Sequence, residues 1–149
     1  RQEVRTPPLR RALLQRHGAR AFGFISDEDN GTEVIAFRLD GRQIRLTLPL
    51  PDASDFAYDG ANRVRSPVAK RNAYEKEVRR LWRALLLIIK AKLEAVADGV
   101  RSADEEWLSD TIMPNGSTVS EWAKPQIRRM IDEGRMPAPL LMLPTSAGE

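Results

Sequence analysis

The chain contains no cysteine and a single histidine, His17, in 149 residues. The first absence excludes disulfides, thiolate catalysis and every cysteine-ligated zinc or iron–sulfur centre. The second rules out a multi-histidine metal site and any Ser–His pair away from residue 17. No apolar run approaches the roughly 18 residues that a membrane-crossing helix needs. The longest, Ala84–Ile89, is flanked by Arg83 and Lys90. An apolar leader is missing from the charged, proline-containing start, so a cytoplasmic protein is the expectation. Aromatic residues make up only 6% of the chain, so the three tryptophans carry a large part of the bulky apolar surface. Trp82, Trp107 and Trp122 are expected as core anchors bridging the helices.

Charge of one sign is not in large excess, since the net charge is +3. Its placement is uneven. Basic residues outnumber acidic ones from Arg1 to Arg83, whereas Asp98–Glu106 is acidic. Such asymmetry fits a polyanionic partner, a solvated face or an acidic protein partner.

What is present is organised around Ser66–Asp98. Ser66 suits a helix cap, Pro67 suits the first helical position, and Gly99 suits a left-handed stop. The intervening helix would be about 45 Å long at about 1.5 Å per residue. On a helical projection Tyr74, Val78, Leu81, Leu85, Ile88, Ile89 and Val96 form an apolar stripe. Lys76, Arg79, Arg83 and Lys90 gather on the opposite side, with Arg80 close by.

The rest of the chain surrounds this helix. Residues 1–6 read as a loose arm, followed by a short helix opened by Pro7-Pro8 and ended by Gly18. Ala21–Ile25, Thr32–Leu39 and Arg42–Leu48 read as strands, joined by turns at Asn30-Gly31 and Asp40-Gly41. In the third, Ile44, Leu46 and Leu48 point one way and Gln43, Arg45 and Thr47 the other. Pro49–Val64 is a long loop. Ser102 with Glu105 and Thr118 with Glu121 are capping boxes. The first opens a helix over 103–110; the second opens one that Pro125 must kink or restart. The stretch 135–149 is an apolar, proline-containing tail whose Leu140, Leu141 and Leu143 should dock on the body or a neighbouring copy. The expectation is a single α+β domain over 1–149: a short helix, a three-stranded antiparallel meander, a long amphipathic helix on the sheet, then helical segments.

One cationic constellation stands out as a nucleic-acid site. Arg42 and Arg45 lie on the second hairpin, with Arg38 beside them. Arg63, Arg65, Lys70 and Arg71 lie at the junction, and Arg79 and Arg83 on the helix with Arg80. Clustered guanidinium and ammonium groups are what phosphate contact needs, and Tyr58, with Phe56, offers a stacking surface for unpaired bases. Glu75, Glu77 and Glu94 offer the competing reading, a solvated ion-paired face. Lys92 falls near the middle of the apolar stripe and must snorkel, pair with a carboxylate or meet a ligand. Asp27–Gly31 superficially resembles a calcium loop, but the twelfth position, which needs a bidentate glutamate, is Arg38. Asp104, Glu105, Glu106 and Asp110 are better explained by the positive end of a helix than by a two-carboxylate hydrolytic centre. No catalytic residue, metal ligand or cofactor site is assigned.

The block RRLWRALLLIIKAKLEAVADGV (Arg79–Val100), followed by EEWLSDTIMPNGSTVSEWAKPQI and GRMPAPLL, resembles a family of small uncharacterised bacteriophage and prophage proteins. GARAFGF near the first strand and LPLPD after the third extend the resemblance over about Leu9 to Leu141. It implies a phage accessory protein in a bacterial cytoplasm and assigns no functional residue. In topology alone, a meander followed by a long helix is similar to the core of ring-forming single-strand annealing proteins. The functional expectation is a non-catalytic, oligomeric protein that binds nucleic acid, single-stranded DNA in particular, in recombination or replication. Copies would join through a sheet edge or the tail. The alternative is a protein–protein module, such as an inhibitor of a host or defence protein.

Overall fold

The long helix, α2, runs from Pro67 to Ala97. Ser66 caps it from extended backbone, its hydroxyl accepting from the Ala69 amide at 3.2 Å. At the far end Gly99 adopts φ +70°, and the amides of Val100 and Arg101 donate to the Ala95 carbonyl at 3.0 and 3.2 Å. In this computed structural model, residues 8–27 and 29–134 are described. The expected arm at 1–6 and the tail at 135–149 lie outside them.

Before α2 come helix α1 (Pro8–Arg16) and three strands, β1 (Arg20–Asp27), β2 (Thr32–Leu39) and β3 (Arg42–Pro49). The strands form one antiparallel sheet in the order β1-β2-β3, so the fold is α+β. Asp40 and Gly41 both take positive φ, +48° and +76°, the two-residue turn whose twist matches its flanking strands. In the first turn the Asp27 carboxylate accepts from the Asn30 backbone amide at 3.1 Å and side-chain amide at 2.8 Å. These bonds hold its pKa below the usual carboxylate range.

Strand alternation decides what faces α2. Ile35, Phe37 and Leu39 of β2 and Ile44, Leu46 and Leu48 of β3 are buried together. Directly paired residues share a face, and Phe37 pairs with Ile44 and Ile35 with Leu46. Onto them α2 lays Trp82, Leu85, Ile89 and Leu93, while α1 supplies Leu14 and the following turn Ala19. Leu14, Ile35, Ile44 and Ile89 are fully buried, each worth about 1.5–3 kcal/mol of transfer free energy. Ile88, expected on the core stripe, is 51% exposed. It projects about 100° from the centre of the buried stripe, and a sheet only three strands wide covers a narrow band of helix.

Helix α3 is one turn, Ala103–Trp107, shorter than the expected 103–110. The backbone leaves the helix because β3 offers it an edge. Arg45 N–H donates to Asp110 C=O at 2.9 Å and Ile112 N–H to Gln43 C=O at 2.8 Å. Trp107 is fully buried and meets Phe37 edge-on, with ring centroids 5.7 Å apart. A tight turn through Gly116 (φ +84°) leads to helix α4, Val119–Asp132, opened by the Thr118–Glu121 capping box. Pro125 neither ends nor restarts α4. The carbonyl it leaves without a donor lies on an exposed helix, where water can satisfy it.

Trp122 corrects a further expectation. It is 53% exposed, and no residue of α4 is buried. The helix is fastened mainly through its N-terminal turn, by Val119 N–H to Thr111 C=O, Ser120 N–H to Ser109 C=O (3.0 Å each), and Arg45 to Glu121. Trp82 and Trp107 are the core anchors.

Candidate nucleic-acid interface

The nine residues singled out from sequence divide into three groups according to what holds them. Arg42 and Arg45 are three apart on β3, so they lie on opposite faces of the sheet. Arg42 pairs with Asp104 of α3. Arg45 donates to Gly116 C=O at 3.0 Å and to Glu121 Oε2 at 2.6 Å. Both guanidinium groups join elements of the fold, and they do not share a groove.

The second group builds the loop after β3. Asp52 accepts from the Ser54 amide and hydroxyl at 2.8 and 2.7 Å, starting the 3-10 turn Ala53–Phe56. Asp59 accepts from the amides of Ala61 and Arg63 and from Arg63 Nε at 2.9–3.0 Å. Its pKa is lowered, first of all by the Arg63 amide. Arg65 Nη1 donates to the carbonyls of Phe56 and Tyr58 at 3.1 and 2.6 Å. Arg63 and Arg65 therefore organise the loop. Lys70 is half-buried and helps to lower the pKa of Asp52, after the stronger effect of the Ser54 amide and hydroxyl. Tyr58 is 55% exposed, its backbone bridged to Val64.

The third group is the outer face of α2. Lys76, Arg79, Arg83 and Lys90 follow one another at steps of three, four and seven residues along one side of the helix, about 105° round from the centre of the buried stripe, over about 21 Å. All four are exposed. Arg79 lies 3.6 Å from Glu75 in an exposed pair, the kind worth little in water. Lys76, Arg83 and Lys90 make no ion pair among the described residues, and neither does Arg71 on another side of the helix. Arg80, beside the ridge, is held by Glu77 through two bonds of 2.9 and 2.6 Å, which lower the Glu77 pKa. Between this face and the loop is a recess of about 310 Å³, lined by Phe56, Arg65, Ala73, Lys76, Glu77, Arg80 and Arg83. The Phe56 ring meets Tyr74 at 5.8 Å, nearly perpendicular. Lys76 and Lys90, outside the nine, share the side of the helical projection that carries Arg79 and Arg83.

Lys92 takes the second of its three options. Its Nζ donates to Glu106 C=O at 2.7 Å, lies 3.3 Å from carboxylate oxygens of Glu106 and Asp110, and sits 5.0 Å from the Trp107 ring centroid. Arg101 adds a contact to Glu106 at 3.4 Å. Glu105 closes its capping box, so the acidic cluster is occupied by helix caps and cations. His17 Nε2 lies 3.7 Å from Glu94 Oε1, beyond hydrogen-bond reach. Among the described residues no three acidic or histidine side chains gather to hold a metal, and no helix is long and apolar enough to cross a membrane. The chain matches no protein-family model, no curated protein and no solved structure.

Proposed function

We propose that the protein binds nucleic acid through its phosphates along the outer face of α2, without catalysing a reaction, as an accessory factor in recombination or replication in a bacterial cytoplasm. The observation that carries this reading is the ridge of Lys76, Arg79, Arg83 and Lys90, exposed and largely unneutralised by carboxylates of the described residues. A rigid helix holds its charges at fixed spacing, and each phosphate contact releases condensed counterions. Binding is then sequence-tolerant and falls steeply with salt. Arg71, on another side of α2, is a separate cation near the helix start, while Arg42, Arg45, Arg63 and Arg65 act by holding the scaffold. Copies would associate through the outer edge of β1, which pairs with no further strand among the described residues.

The test is fluorescence anisotropy with labelled oligonucleotides over a salt series. Four phosphate contacts give a slope of log affinity against log salt of about −2.8 on single strands. Lys76→Glu with Arg83→Glu should reduce affinity at least tenfold and flatten that slope by about half. Undiminished binding by the double variant would refute the ridge as the interface.

A second reading is favoured by α4. Ile127, Met130 and Ile131 are all 41% exposed or more, at the three- and four-residue spacing of an apolar stripe with Lys124 and Arg128 beside it. A surface of this kind fits an amphipathic helix of another protein with acidic flanks. Its binding would depend only slightly on salt, which separates it from the first reading.

A further inference from the structure

We infer that the recess between α2 and the Ala53–Phe56 turn receives an unpaired base of a bound strand, so that the protein prefers single-stranded to duplex nucleic acid. The inference rests on α2 being the nucleic-acid interface and specifies what its cations bracket. Lys76 and Arg83 both line the recess and stand two helical turns apart, about 10 Å along the axis. Successive phosphates of a strand can meet both while a base between them turns inward. At about 310 Å³ the recess is at the small end of ligand-sized cavities.

Its lining favours a base over a phosphate. Glu77 and Arg80 neutralise each other through two bonds, so an anion entering the recess would meet a carboxylate beside a guanidinium already engaged. A neutral ring meets neither penalty. It finds Phe56, held against Tyr74 and carried by a loop that Asp52, Asp59 and Arg65 fasten at both ends. The free lone pairs of Glu77 can accept from base N–H groups. Aromatic stacking of this kind is tolerant of base identity. A paired base would have to leave its stack first, and that cost sets the preference against duplex.

The experiment compares three labelled probes at one salt concentration: a single strand, the same strand with abasic sites throughout, and a duplex. The wild-type full chain should bind the intact strand about tenfold more tightly than the abasic one. Phe56→Leu keeps apolar bulk in the loop and should bring the intact strand down to the abasic level, leaving abasic and duplex binding unchanged. Circular dichroism confirms that the variant is folded, and the wild-type comparison needs no variant at all. Equal binding of intact and abasic strands with the expected salt slope overturns the base pocket alone. Failure of all three probes to bind at low salt overturns the ridge and the pocket together.

Discussion

Lys92 gives the clearest residue-scale consequence. Its ammonium and the carboxylates of Glu106 and Asp110 are each about one-fifth exposed, so the cluster is largely withdrawn from water but not sealed. Replacing Lys92 by Met keeps an unbranched stem of similar length and leaves the carboxylates of Glu106 and Asp110 without the ammonium between them. We expect Lys92→Met to lower stability by about 2–3 kcal/mol, below the figure for a fully buried pair, read as an earlier urea midpoint with unchanged slope. A midpoint within error of wild type would mean that the cluster is solvated. From sequence, Lys92 was legible as a problem, because a cation on an apolar stripe must be resolved somehow. Its partners were not, since nothing local marks Asp110 as the residue that turns back onto β3. The partners of Arg42 and Arg45 were hidden for the same reason: Asp104 and Glu121 are 62 and 76 residues further along the chain.

At the scale of elements, what was legible was whatever is written in neighbouring residues. Ser66-Pro67 and Gly99 bound α2, Asp40-Gly41 reverses the sheet, and both capping boxes form. Trp122 was opaque because a bulky apolar residue on a helix reads the same whether or not anything covers it. The capping boxes also make a pH prediction. Glu121 is held below its ordinary pKa of 4.5, chiefly because the Thr118 amide donates to its carboxylate, with Arg45 adding to the effect. Glu105 is lowered in the same way by the Ser102 amide and hydroxyl. A carboxyl whose folded pKa lies below its unfolded one stabilises the fold at pH above the unfolded value. That contribution declines as pH falls through 4.5 and is gone below the lowered folded values. Urea unfolding should therefore give a flat stability profile from neutrality down to about pH 5.5 and a falling one below about 4.5. Glu121→Gln should make the acid limb shallower; a limb of unchanged steepness would show that its cap does not contribute.

At the scale of the whole molecule, one side of α2 closes the core and the other is left to the surroundings. The sheet is similarly asymmetric. The edge of β3 is occupied by residues 110–112, whereas β1 carries its bulge, with Ala21 at φ +53°, on the uncovered edge. A bulged edge pairs over a shorter length than a flat one, which limits any edge-to-edge assembly to the Gly23–Asp27 half of the strand.

The distribution of the three tryptophans gives the protein a built-in optical probe. The indoles of Trp82 and Trp107 are sealed in the core, while Trp122 stands more than half exposed on α4. A collisional quencher such as acrylamide should therefore extinguish one emitting population out of three and leave a blue-shifted remainder. Adding oligonucleotide should leave that quenchable fraction intact if the strand lies on α2. A protein partner seated on the Trp122 side of α4 should abolish it. A single cuvette, without any label, thus distinguishes which of the two faces is occupied.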